Sequence, residues 1–102
     1  SRLDFEKPDI ERFPCLGLAY DALKAGGTMA TVLNAANETT VRAFLDGRIR
    51  LSEIAEINAR VMQAHENKPA TDLETILNAD RDARADAERL LAVNVTSAAI
   101  TN

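Results

Sequence analysis

Between the pair Gly26-Gly27 and Gly47, apolar residues recur at Met29, Val32, Leu33, Ala36, Ala43 and Phe44, with Thr40 keeping the register. Spacings of three and four residues trace one face of an α-helix and fit no strand, whose side chains alternate with period two. At ~1.5 Å per residue such a helix is about 27 Å long, and its apolar side must be covered by neighbouring elements. Thr28 is placed to cap its start.

The flanking segments supply neighbours of the same kind. Pro14 can occupy a first helical turn, and Leu16, Ala19, Tyr20 and Leu23 make an inward stripe that ends at Gly26-Gly27, predicting a helix over residues 14–25. Ser52 is expected to cap a third helix, with Glu53 and Glu56 near its positive end and Ile54, Ile57, Val61 and Met62 for burial. Residues 66–69 are polar and end in Pro69, which breaks that helix. Thr71-Asp72-Leu73-Glu74 matches a capping box, so a short turn with Leu73, Ile76 and Leu77 inward is expected. Asn78 or Asp80 then starts a last helix burying Ala83, Ala87, Leu90 and Leu91 beneath a wet face of Arg81, Arg84, Asp86, Glu88 and Arg89.

The predicted fold is all-α, a small bundle of four to five helices over residues 14–93. Pro8 and Pro14 bias their predecessors toward extended backbone, so residues 1–13 read as a linker and the end of a preceding domain. Within them Leu3-Asp4-Phe5 alternates as an edge strand does. Residues 94–102 lack a pattern and are expected to form a flexible tail. Ser1 in place of Met fits an excised, processed or tagged piece.

Composition closes off several functions. With 12 Lys and Arg against 16 Asp and Glu, the formal net charge is −4, which opposes an electrostatic partnership with nucleic acid or anionic lipid. Three Phe, one Tyr and no Trp argue against base-stacking platforms. No apolar run approaches the ~20 residues that span a bilayer, and the single cysteine, Cys15, fits a reducing compartment. The expectation is a soluble cytoplasmic protein, with no nucleic acid and no membrane among its partners.

Reactive groups are few. Cys15 at a helix start reads as packing, and His65 reads as a cap on the negative end of the third helix. Glu53 and Glu56 support the start of that helix. Neither GxGxxG nor GxxxxGK[ST] occurs, and a di-iron Glu-x-x-His pair fails because Met62 stands where the Glu belongs.

The long central helix carries a second stripe, Ala30, Asn34, Asn37, Val41 and Leu45, beside its core stripe. Either the helix is central and touches several neighbours, or this second face docks on another domain. A substrate site there is a third option. Asn34, Asn37 and the adjacent Glu38 are therefore candidate core polar or interdomain contacts, since a buried amide needs a partner.

Leu3-Asp4-Phe5, Pro14-Cys15-Leu16 and above all Leu33-Asn34-Ala35-Ala36-Asn37-Glu38 resemble the C-terminal helical domain of the 1-deoxy-D-xylulose 5-phosphate reductoisomerase family. Phe44-Leu45, Ile49, the Ile54 helix and Asp72-Leu73 follow in matching order. The resemblance implies a bacterial cytoplasmic parent enzyme that converts 1-deoxy-D-xylulose 5-phosphate to 2-C-methyl-D-erythritol 4-phosphate in non-mevalonate isoprenoid biosynthesis. That enzyme would use NADPH and a divalent metal, Mg2+ or Mn2+. In the family the catalytic, cofactor-binding and metal-binding residues lie upstream, so none falls on a position here and this piece alone is expected to be inactive. The implied role is a scaffold that docks on the catalytic domain of the same enzyme, in a V-shaped subunit of a homodimer. The alternative is a free-standing helical protein-interaction module.

Overall fold

The computed structural model describes the backbone of residues 12–101 and the side chains of residues 12–93. The Leu3-Asp4-Phe5 strand and most of the expected linker lie outside the described residues. Among the described residues there are four helices and no strand: α1 (Pro14–Ala25), α2 (Met29–Leu45), α3 (Leu51–Ala64) and α4 (Leu73–Thr101). The fold is a small all-α bundle.

α2 is the middle element and packs on α1, α3 and α4, whereas α1 and α4 do not touch. The core joins Val32, Ala35, Ala36 and Ala43 of α2 to Ile54, Ile57, Val61 and Met62 of α3 and to Ala79, Ala83, Ala87 and Leu91 of α4. Alanines on the facing sides of α2 and α4 keep the contact shallow, which lets helix axes approach toward the ~8 Å lower limit.

α2 ends as its glycine predicts. Gly47, at φ +79°, donates its N–H to Phe44 O at 3.0 Å, and Arg48 N–H reaches Ala43 O at 2.9 Å. These two bonds satisfy the last carbonyls in a Schellman arrangement and turn the buried Ile49 back into the core.

Three helix starts differ from expectation. α3 begins two residues early, with Ser52 inside it, because the Glu53 carboxylate accepts the Arg50 N–H at 2.7 Å and holds the first turn from Arg50. α4 is capped by Asp72 rather than Thr71, since Asp72 Oδ1 accepts the Thr75 N–H at 2.7 Å. That bond, reinforced by the Thr75 side chain, holds the Asp72 carboxyl below its ordinary pKa. Thr28 makes no side-chain cap on α2.

α4 also runs unbroken through residues 78–80, where a new start was expected, and its helical backbone continues through the unpatterned residues 94–101. Asp80 is not free to cap, because its carboxylate accepts Arg84 Nε at 2.7 Å one turn later. Buried Ala79, Ala83 and Ala87 carry one stripe straight across the predicted break.

Thr28 instead ties the α1–α2 turn to the segment after α3. Its N–H is shared between Lys68 O at 2.9 Å and Asn67 Oδ1 at 3.0 Å. Its hydroxyl accepts the Lys68 N–H at 3.3 Å and lies 2.7 Å from His65 Nε2 and 3.2 Å from Asn67 Oδ1. One hydroxyl proton serves two acceptors, so when it goes to Asn67 the imidazole Nε2 must be the donor. Asn67 Nδ2 closes the clasp on Ala25 O and Gly26 O at 3.2 and 3.1 Å. Only glycine fits at 27: φ is +58°, and a Cβ would collide with Lys68 O and come within 2.8 Å of Asn67 Oδ1. The His65 ring is thus spent on Thr28 rather than on the carbonyls that end α3.

Candidate docking face

α1 turns outward the stripe expected to be its core. Leu16, Tyr20 and Leu23 are exposed, Leu23 at 74%, and Phe13 just before the helix is exposed as well. Buried in their place are Gly17 and Ala22, with Leu18 packed against the core from partial exposure. Small residues allow α1 to lie close on α2, and the large apolar ones are left exposed, with Leu23 at the edge of a groove between the two helices. An exposed apolar row of this kind is a candidate contact surface.

Between α1 and α2 this face opens into a groove of about 410 Å³. Cys15, Ala19 and Leu23 line it from α1, and Ala30, Leu33, Asn34 and Asn37 from α2, with Asn58 of α3 at its floor. Of the second stripe of α2, Ala30, Asn34 and Asn37 line the groove, whereas Val41 and Leu45 are not among its lining residues. Ala30, Asn34 and Leu45 are exposed, while Asn37 and Val41 are half-buried. Cys15, expected to be packed, is an exposed free thiol.

The three candidate polar residues have separate fates. Asn37 turns its Oδ1 inward to accept Asn58 Nδ2 at 3.0 Å, and Asn58 Oδ1 accepts the Thr40 hydroxyl at 2.9 Å. Glu38 reaches across to α4 and accepts Arg84 at 2.8 Å; Arg84 also holds Asp80, and the two carboxylates raise its pKa further. Asn34 has only a long bond, Nδ2 to Glu38 Oε2 at 3.5 Å.

Asn58 and the Thr28 clasp escaped the sequence reading. Asn58 is fully buried, and it was visible as a polar residue four after Ile54 and three before Val61, inside an apolar stripe. No local pattern pairs Thr28 with residues about 40 positions away.

A second cleft, about 240 Å³, lies beside the clasp and is lined by His65, Glu66, Lys68, Asp82 and Asp86 among others. Cys15 and His65 thus line different clefts. Among the described residues no three His, Cys, Asp or Glu side chains come together to hold a metal ion, and no helix is long and apolar enough to cross a membrane.

A family model described as the DXP reductoisomerase C-terminal domain matches residues 1–86. The 1-deoxy-D-xylulose 5-phosphate reductoisomerase of Nitrosomonas europaea is 54% identical over 95 residues, covering 93% of this chain and 23% of that protein. Its counterpart in Cupriavidus necator is 56% identical over 82 residues, covering 80% of this chain and 21% of that protein. Among solved structures, the reductoisomerase from Zymomonas mobilis in complex with NADPH superposes with a TM-score of 0.78 at 42% identity. That match covers 86% of this chain and 23% of the other. The chain thus spans about a quarter of the length of the relatives it matches.

Proposed function

The chain belongs to the C-terminal domain family of 1-deoxy-D-xylulose 5-phosphate reductoisomerase, and on that footing we propose that it is a non-catalytic scaffold, docked on the catalytic domain of its own polypeptide. The observation that carries this reading is the exposed row of Phe13, Leu16, Tyr20 and Leu23 on α1. The matched family is a C-terminal domain and the relatives are about four times longer, so their remaining length precedes this region. α1 is the first described helix, and its exposed apolar row is the surface this reading assigns to the preceding domain.

The parent polypeptide would rearrange and reduce 1-deoxy-D-xylulose 5-phosphate to 2-C-methyl-D-erythritol 4-phosphate with NADPH and Mg2+ or Mn2+, as a homodimer in the bacterial cytoplasm. The names of the relatives and the NADPH complex of the Zymomonas mobilis enzyme support the reaction and the nucleotide. The described residues fit neither group: they lack a ligand cluster for the metal and a glycine-rich strand-to-helix turn for the nucleotide phosphates. Chemistry would reside in the preceding domain, and residues 14–93 would hold it in place.

The double variant Leu16→Asp/Leu23→Asp in the full-length enzyme tests this. Two buried carboxylates would lower its melting temperature by roughly 3 °C or more, with the KM for NADPH changed by less than about twofold. An unchanged melting temperature, or a selective loss of NADPH affinity, would overturn the scaffold role.

A further inference from the structure

The groove beside α1 has a chemistry that the apolar row lacks. None of the described side chains that line it carries a charge, and these residues do not suit an ionic ligand. Leu23, Ala19, Ala30 and Leu33 make its walls apolar, and three carboxamides line it, Asn34 and Asn37 along α2 and Asn58 at the floor.

Each Asn carries an acceptor oxygen and two donor hydrogens. Asn37 spends its Oδ1 on Asn58, which leaves Nδ2 as a donor facing the groove side of α2. Asn34 directs Nδ2 toward Glu38 and leaves Oδ1 as an acceptor. Residues three apart on a helix are surface neighbours, with Cβ atoms ~5–6 Å apart. One donor and one acceptor at that spacing complement the C=O and N–H of a peptide main chain.

A covering helix has its main chain already paired, so it could meet the remaining Asn37 donor and Asn34 acceptor only with side chains. A purely apolar ligand would leave both unpaired. An extended segment has its main chain free for pairing.

We infer that the α1–α2 groove receives one extended segment of the preceding catalytic domain, seating an apolar side chain between Leu23 and Leu33 and pairing its main chain with Asn34 and Asn37. This rests on the docking reading above. The occupant is assigned to the same polypeptide because more than three quarters of each relative's length lies outside the matched C-terminal domain, and the groove opens beside α1, the first described helix.

The test is hydrogen–deuterium exchange on full-length enzyme carrying Asn34→Leu, Asn37→Asp or the undocking pair Leu16→Asp/Leu23→Asp. Asn37→Asp keeps the oxygen that accepts Asn58, but it replaces the outward donor with an acceptor and adds a negative charge. Asn34→Leu changes an exposed position of similar size, so it decides the matter should Asn37→Asp also loosen α2 and α3. The expected result is that one contiguous stretch upstream of this domain exchanges ~10-fold faster in both single variants, while other interdomain protection persists. Unchanged protection in Asn34→Leu, with broad loss in the undocking pair, overturns the groove assignment and leaves docking intact. No change in the undocking pair overturns both.

Discussion

Asn58 shows how much one side chain contributes here. It is completely buried, and its amide joins Thr40 and Asn37 of α2 to α3. Asn58→Ala removes that bridge, leaves the Thr40 hydroxyl without its α3 acceptor and opens a cavity, so it should destabilise the chain by about 2–4 kcal/mol. Urea unfolding would report this as a lower midpoint at unchanged slope. Combining Asn58→Leu with Thr40→Val, which removes both partners at once, should lose less than the sum of the single changes. Asn37 was legible as a polar residue in an apolar stripe. Its partner was not, because the bond spans 21 positions and two helices.

The elements were legible from periodicity and punctuation, and the misses concern their ends. Pro14 and the Gly26-Gly27 pair bound α1 where expected, and Gly47 stops α2 as expected. The start of α4 shifted because the Asp72 carboxylate out-competes Thr71 as cap. Its folded pKa lies below the ordinary value of 3.8, so the cap contributes fully above that value and is lost as pH falls through the depressed folded pKa. The first turn of α4 should therefore loosen below about pH 4, with faster amide exchange at Thr75. Asp72→Asn, which keeps the acceptor oxygen, should flatten that pH dependence. Fusion of two predicted elements into one α4 followed from Arg84, which engages Asp80 along the helix.

Among the described residues, the bundle has a covered side and an exposed one. α2 is enclosed by three helices, whereas α1 touches only α2 and α3 and shows its largest apolar residues to solvent. In the 102-residue chain alone, Leu23→Asp should change stability by less than about 0.5 kcal/mol, as exposed substitutions generally do. Val32→Ala, at a fully buried position, should cost about 2 kcal/mol by thermal or chemical unfolding. The same Leu23 change in the full-length enzyme should be the costly one, and that contrast separates a docking residue from a core residue. The helical class, the element order and the family resemblance of Leu33-Asn34-Ala35-Ala36-Asn37-Glu38 were all present in the residues in order, because helical spacing and capping are local properties of a chain. Which apolar stripe is covered was not. A stripe such as Leu16, Tyr20 and Leu23 records that a face is suited to burial, and only the placement of neighbouring helices decides whether the covering partner lies within this domain. Here the small residues Gly17 and Ala22 took the inner position and left the large ones facing out.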